Sequence, residues 1–349
     1  MMILVRLMSV ALISRSKLAH NMRLLQRAAG AGVGLWPAVK ANAYGHGALL
    51  VSDALAELGF VSQCVARVSE AAELLQGDGL KRHKLARVLV LGGLLPDDAA
   101  SFVSLPKEVE PVVSSSLPLE ALARAAAVRG YPVGVHVKVD TGMSRQGALP
   151  EELAPLLQAI ADRAPHLTLR GVMSHFAASD SADQTVTLSQ LDRFHKALSG
   201  ISLPSGVVRF IANSGGILAH RNSALDVARP GIAIYGLSPG EGVNASELRP
   251  ILELHATTTL LKWVPAGTGV SYGHHYVTTK PKTLLATLSV GYGDGISRAH
   301  SNRMRVLLNG VSCPQLGRVT MDQVNRKEFF LFKNTDPKKK DCGRCFKCA

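Results

Sequence analysis

Leu35-Trp36-Pro37-Ala38-Val39-Lys40-Ala41-Asn42-Ala43-Tyr44-Gly45-His46-Gly47 is the stretch on which the fold turns. An apolar run ends at a lysine, a glycine-punctuated loop follows, and residues 48–58 then space their apolar side chains three and four apart. That order predicts a strand, a loop and a helix, the repeating unit of a parallel sheet. No G-x-G-x-x-G opens the helix, which argues against an open dinucleotide-binding sheet. The same rhythm returns along the chain. Apolar β-forming runs at 87–91, 109–113, 133–139, 167–173, 207–212 and 225–228 predict further strands, and residues 119–128, 151–164 and 188–198 predict helices between them. Runs without polar alternation fit strands buried on both faces. Six to eight such units in about 200 residues predict an α/β chain built on a closed (β/α)8 barrel over residues 1–236. The first apolar segment, near the N-terminus, reads as a strand that either domain could claim.

Past Gly236 the texture changes. Runs at 251–261, 283–289 and 304–308 are separated by Pro265-Ala266-Gly267, Lys280-Pro281 and Asn309-Gly310, and Asn-Gly between apolar runs signals a hairpin. A smaller, mostly β domain is predicted for residues 237–324, followed at 325–349 by a basic, cysteine-containing tail expected to lack fixed structure.

Composition narrows the classes of function. The chain has 349 residues, 47% of them apolar and 19% charged, which excludes a disordered chain. No apolar stretch reaches the roughly 18 residues of a membrane span. The net charge of +13 would suggest nucleic acid, but eight basic and only three acidic residues fall within 326–349, so the remainder is modestly basic and no nucleic-acid partner is expected. Five cysteines, three of them in Cys342-x-x-Cys345-x-x-Cys348, are not the even framework of a secreted scaffold, and a cytoplasmic setting is expected. Three thiolates without a local fourth ligand make a poor metal site, and the histidines lack a metal-binding pattern, so no metal is expected.

Functional residues of a barrel stand at the carboxyl ends of its strands. Those positions hold Lys40, then Lys138, Asp140 and Arg145, then His175, then Asn213-Ser214-Gly215-Gly216, and finally Arg229-Pro230-Gly231-Ile232. A lysine at a buried strand end has its pKa lowered by desolvation toward the range useful for Schiff-base chemistry. Small and hydroxyl residues opening a helix can seat a phosphate on backbone amides.

On these residues the chain resembles the bacterial alanine racemases, pyridoxal-phosphate enzymes of fold type III. The resemblance runs in family order through 39–47, 138–145, His175-Phe176-Ala177, Ala212-Asn213-Ser214, 228–232, Ser271-Tyr272-Gly273, 291–295 and 317–323. It implies that Lys40 holds pyridoxal 5'-phosphate as an imine and is the base on one face of the α-carbon, with Tyr272 the base on the other. It also implies Tyr44, Ser214, Gly231 and Ile232 at the phosphate with Asn213 beside them, Arg229 at the pyridine nitrogen, and His175 near the phenolic oxygen or ring face. Arg145 would touch cofactor and substrate carboxylate, oriented by a Lys138 that is carbamylated in some relatives. Met321 and Asp322 would close the substrate side, and Asp180, Arg298 and Arg318 would line the entrance. Tyr272, Met321 and Asp322 would come from a partner subunit, making a homodimer with a shared site. The implied substrate is alanine, and the implied purpose is D-alanine for peptidoglycan. After Gln323 the resemblance stops, as at a divergent or truncated C-terminus. Two alternatives follow: a cofactor-binding barrel with impaired turnover, and an amino acid racemase of broader specificity.

Overall fold

The computed structural model describes residues 9–75, 85–308, 310–327 and 345–348. They form two compact units, residues 15–251 and the two segments flanking them in sequence. The first strand, β1 (Ser9–Ile13), belongs to the flanking unit, where it pairs antiparallel with a strand that begins at Leu252.

Residues 15–251 are the barrel. Strands β3 (Ser62–Val65), β4 (Arg87–Val90), β5 (Val109–Val113), β6 (Val133–Lys138), β7 (Leu167–Met173) and β8 (Val208–Phe210) pair in parallel in sequence order, and β2 (Gly34–Leu35) pairs in parallel with β9 (Val227–Ala228). The ring closes on both sides of the short pair. Cys64 N–H donates to Pro37 O (2.9 Å) and Val39 N–H to Cys64 O (2.8 Å), joining β2 to β3. Arg229 N–H donates to Ala212 O (2.9 Å) and Asp226 N–H to Arg209 O (3.1 Å), joining β8 to β9. Every residue of β5 and β6 is buried, as expected of strands covered on both faces. Trp36, Ala38, Cys64, Leu89, Val112, Met173, Phe210 and Val227 pack together as an apolar core.

Two features differ from the sequence expectation. Strand β3 is Ser-Gln-Cys-Val, too polar to read as a buried strand, and it is tolerated because the Gln63 amide donates to Ser52 O (3.1 Å) and Phe60 O (3.2 Å). Residues 237–251 stay with the barrel instead of opening the β domain. Asn21 Nδ2 donates to Arg249 O (2.9 Å), Arg249 N–H donates back to Asn21 Oδ1 (2.9 Å), and Gly242 N–H donates to Asp180 O (2.9 Å). Gly236 turns there at φ +84°, and a side chain on it would overlap the Arg249 carbonyl.

Residues of β4, β5 and β6 form a largely buried ion cluster. Glu110 accepts from Arg87 Nε at 2.5 Å and from His136 Nε2 at 2.7 Å. Trp36 meets His136 edge-on at 5.8 Å, and the Arg87 guanidinium lies 4.5 Å from its ring centroid. Only a glycine fits at 171, because a Cβ there would come within 2.4 Å of His136 Nδ1.

The flanking unit is antiparallel. Its strands are β1, β10 (Leu252–Val264), β11 (Gly269–Val270), β12 (Tyr276–Val277), β13 (Thr283–Leu288), β14 (Arg305–Leu308), β15 (Val311–Leu316), β16 (Val324–Lys327) and β17 (Cys345–Cys348). The sequence β10–β13–β16–β15–β14–β17 returns to β10, so six strands close on themselves, β1 is added at β10, and β11 and β12 form a separate pair. The sequence predicts no strand beyond residue 324, yet β17 pairs with both β10 and β14 through residues of the basic tail. The β14–β15 hairpin pairs Leu308 with Val311, and Asn309 of the predicted turn, like Cys342, lies outside the described residues. Ala256, Leu288, Val290, Val306, Leu308, Cys313, Val319 and Val324 form the core of this unit.

Candidate active site

The carboxyl ends of the barrel strands deliver their residues to one cavity of about 200 Å³. Of the predicted residues, Lys40, Tyr44, His175, Asn213, Ser214, Arg229, Gly231 and Ile232 line it, and so does Asp180. Gly215 of the predicted Asn213–Gly216 segment lines it too, as do Ala38, Leu91, Ser179 and Pro239, which the sequence does not single out for the site.

Lys40 is presented by an unusual backbone. Ala41, Asn42, Ala43 and Tyr44 all take left-handed helical angles, with φ from 50° to 54°. Such a turn costs roughly 1–2 kcal/mol per non-glycine residue, so it must be held from outside. Ala48 N–H donates to Asn42 Oδ1 (2.7 Å), Gly47 N–H to Asn42 O (3.0 Å) and Ala41 N–H to Glu70 Oε1 (2.7 Å). The Tyr235 ring lies 4.8 Å from Tyr44 and 4.6 Å from His46 and donates its hydroxyl to Ala38 O (2.8 Å). Burial, reinforced by the nearby Arg145 and Arg229 cations, lowers the pKa of the Lys40 amine, with Glu70 opposing.

Arg229 is buried among these groups. Its Nη2 donates to Ser174 O and to His175 Nδ1, both at 3.0 Å, while its Nε is buried and has no hydrogen-bond partner among the described residues. Because a guanidinium only donates, His175 Nδ1 must accept. Burial, with Arg229 next, holds the imidazole pKa well below its ordinary value, so the ring is neutral. Lys138, at the end of β6, is buried and has its pKa lowered to about 8 by burial and then by Arg229 and Arg145. Arg145 itself is exposed and does not line the cavity, although its charge acts on Lys40, Lys138 and His175. Asp140 accepts the backbone N–H groups of Gly142, Met143 and Ser144 and so shapes the loop that carries Arg145.

Part of the lining suits a phosphate. Ser214 Oγ accepts the backbone N–H of Gly231 (2.9 Å) and of Ala233 (3.3 Å), which leaves the hydroxyl hydrogen to donate. Tyr44 Oη lies so close to Gly231 that a Cβ there would be 2.7 Å away. Asn213 caps the following short helix, accepting from Gly216 N–H (3.0 Å) and Ser179 Oγ (2.6 Å).

Tyr272, Met321 and Asp322 belong to the flanking unit. They are exposed there, Tyr272 at 70% and Met321 at 54%. Their loops are stitched together: Ser271 Oγ donates to Arg318 O (2.8 Å), and Tyr292 and Gly293 N–H donate to Thr320 O and Met321 O (both 2.9 Å). Three separated motifs thereby form one exposed cluster.

Comparison with known proteins is consistent across the chain. The family model "Alanine racemase, N-terminal domain" matches residues 13–239, and "Alanine racemase, C-terminal domain" matches residues 251–327. The alanine racemase of Desulfovibrio desulfuricans is 38% identical over 315 residues, covering 89% of this chain and 82% of that protein. That of Chlorobaculum tepidum is 38% identical over 322 residues, covering 90% and 82%. Among solved structures, alanine racemase from Streptomyces coelicolor superimposes with a TM-score of 0.83 at 32% identity, over 97% of this chain and 88% of that one. The Bartonella henselae alanine racemase, described with covalently bound pyridoxal phosphate, has a TM-score of 0.78 at 28% identity, over 98% and 90%.

Proposed function

The chain belongs to the alanine racemase family, and from that premise we propose how its residues interconvert L-alanine and D-alanine with pyridoxal phosphate. The cavity fits that cofactor. Arg229 Nε supplies a buried donor without an acceptor among the described residues, suited to a pyridine nitrogen, and the Ser214 and Tyr44 hydroxyls of the lining are donors of the kind a phosphate needs. The buried Arg229 Nε beside a lysine of lowered basicity is the observation that carries the reading.

When bound there, pyridoxal phosphate would supply an electron sink that acidifies the α-proton of an amino acid joined to it in place of Lys40, whose amine is thereby set free. Lys40 Nζ, whose charge is disfavoured by burial and by the Arg145 and Arg229 guanidinium groups, accepts that proton on one face. Tyr272 Oη serves the opposite face and comes from a partner subunit, so the active unit is a homodimer. The exposure of Tyr272, Met321 and Asp322 on one loop cluster supports that arrangement. Arg229 donates a hydrogen bond while keeping its proton, which limits charge build-up on the ring it faces and favours reprotonation over competing reactions. Arg145 attracts the substrate carboxylate, and carbamylation of Lys138 would turn a cation into an anion that pairs with it; an amine with its pKa lowered to about 8 is suited to that modification. D-alanine made here would supply peptidoglycan in the cytoplasm. Cys64 and Cys313, both buried free thiols, are compatible with a reducing compartment.

Solvent-deuterium exchange tests the two bases. In Tyr272→Phe, α-deuterium uptake should slow much more from one enantiomer of alanine than from the other, and mixing that variant with Lys40→Ala should restore turnover through one intact site per heterodimer. Equal slowing from both enantiomers, or no recovery after verified subunit exchange, refutes the shared two-base site.

A further inference from the structure

The carboxylate of Glu70 lies outside the cavity lining yet touches the turn that carries Lys40. Its Oε1 accepts Ala41 N–H at 2.7 Å, while Oε2 accepts Ala66 N–H at 2.7 Å and Arg67 N–H at 3.1 Å. Glu70 stands in the first turn of the helix Val68–Leu75, so reaching back to Arg67 N–H is ordinary helix capping. The bond to Ala41 is not, because it crosses from the end of β3 to the residue after Lys40, the first of four left-handed residues. One carboxylate therefore ties two neighbouring strand ends together at the lysine.

We propose that Glu70 is a positioning residue for Lys40, clasping the left-handed turn so that the amine is held at the cofactor while supplying the negative charge that partly balances Arg145 and Arg229. The inference rests on the reading of Lys40 as the cofactor-bearing base. The charge balance is independent of the clasp. Arg145 and Arg229 disfavour the charged amine, whereas Glu70 and Cys64 favour it. Since burial pushes the Cys64 thiol up to about 12, it is uncharged at neutral pH, and Glu70 is the anion that acts.

Two variants separate charge from reach. Glu70→Gln keeps the shape and one acceptor oxygen but removes the charge; Glu70→Asp keeps the charge but shortens the reach. Full-length protein is equilibrated with pyridoxal phosphate across a pH series and reduced with borohydride, and the fraction carrying reduced cofactor on Lys40 is measured by peptide mass mapping. kcat and KM for L-alanine are measured in parallel. With the carboxylate gone, the Lys40 amine loses its proton more readily, so the capture midpoint in Glu70→Gln should fall by about half to one pH unit. In Glu70→Asp the midpoint should stay, while kcat falls about tenfold with KM nearly unchanged, because the lysine is displaced and substrate binding is not. An unmoved midpoint in Glu70→Gln, or wild-type kcat in Glu70→Asp, overturns the proposal. A lower melting temperature with an unmoved midpoint is what helix capping alone would give, and it overturns the proposal equally. Absence of capture on Lys40 in the wild-type protein, with Glu70 intact, overturns the underlying reading of Lys40 and the proposal with it.

Discussion

Replacing Glu110 by glutamine should destabilise the barrel without touching the cavity. Removing one partner of a buried ion pair costs about 3–5 kcal/mol, because the other charge is left in a poor solvent. Two observations reduce that figure here. The Arg87 side chain is 26% exposed and keeps some water, and the glutamine oxygen can still accept from one of the two donors now served by Glu110. About 2–3 kcal/mol is therefore expected. Glu120→Gln is the control, since its carboxylate is more than half exposed in its pairs with Arg124 and Arg163 and its loss should change stability by no more than about 1 kcal/mol. The pH dependence follows from the same cluster. Burial opposes charge on Glu110, but hydrogen bonds from His136 and Arg87 and the guanidinium charge hold its carboxyl below the usual carboxylate range. Burial lowers the pKa of His136, whose Nδ1 has no hydrogen-bond partner among the described residues and would become an unpaired buried donor if protonated. Both folded pKa values lie below the unfolded ones, so both contributions are present at neutral pH and disappear on acidification. The histidine contribution should fade below about pH 6.5 and the glutamate contribution below about pH 4.3. Glu110→Gln should abolish the second loss. Trp36 touches both Arg87 and His136 and reports on the cluster, so urea unfolding is followed by its fluorescence in a Trp263→Phe background. A Glu110→Gln protein no less stable than Glu120→Gln, or one with the wild-type acid profile, would refute the argument.

Two other expectations concern the candidate site and its surroundings. Gly231→Ala places a methyl 2.7 Å from Tyr44 Oη, so the phenol must move, and pyridoxal-phosphate affinity measured by equilibrium dialysis should fall about tenfold with little change in melting temperature. Lys138 should be acylated by a small amine-reactive reagent with a rate that rises with pH and levels off above about pH 8, against a surface lysine that continues to gain rate toward pH 10; a Lys138 profile like that of the surface lysine would show that its environment does not suppress the charge.

The barrel was legible because its strands are mostly apolar runs set between helical patterns, and residues 109–113 and 167–173 are strands with those bounds. Lys40, His175, Ser214 and Arg229 were legible for the same reason, as polar residues where such runs end. Strand β3 was not, since the hydrogen bonds that permit Gln63 inside come from backbone oxygens elsewhere in the fold. The left-handed turn was also hidden, because Ala-Asn-Ala-Tyr contains no glycine to announce positive φ and is held by Glu70 and Asn42 side chains. Glu110 reads in sequence as one polar residue in an apolar strand, and only the fold shows Arg87 and His136 beside it. Strand β17 was missed because lysines and cysteines around it resemble a solvated tail, whereas its pairing is backbone to backbone.

The pairing of Ile13 with Leu252 makes the barrel, topologically, a single connection between two adjacent antiparallel strands of the other unit. In an unfolded chain, closing a loop of residues 14–251 costs about 5 kcal/mol of chain entropy. A folded barrel abolishes most of that cost, because its own first and last residues then lie close together before β1 and β10 meet. The order of assembly is thereby biased: the inserted unit can form on local information, while the unit that encloses it in sequence waits for the insertion to finish. Damage should propagate in the same direction, so that a substitution loosening the barrel weakens both units, and one confined to the antiparallel strands leaves the barrel standing.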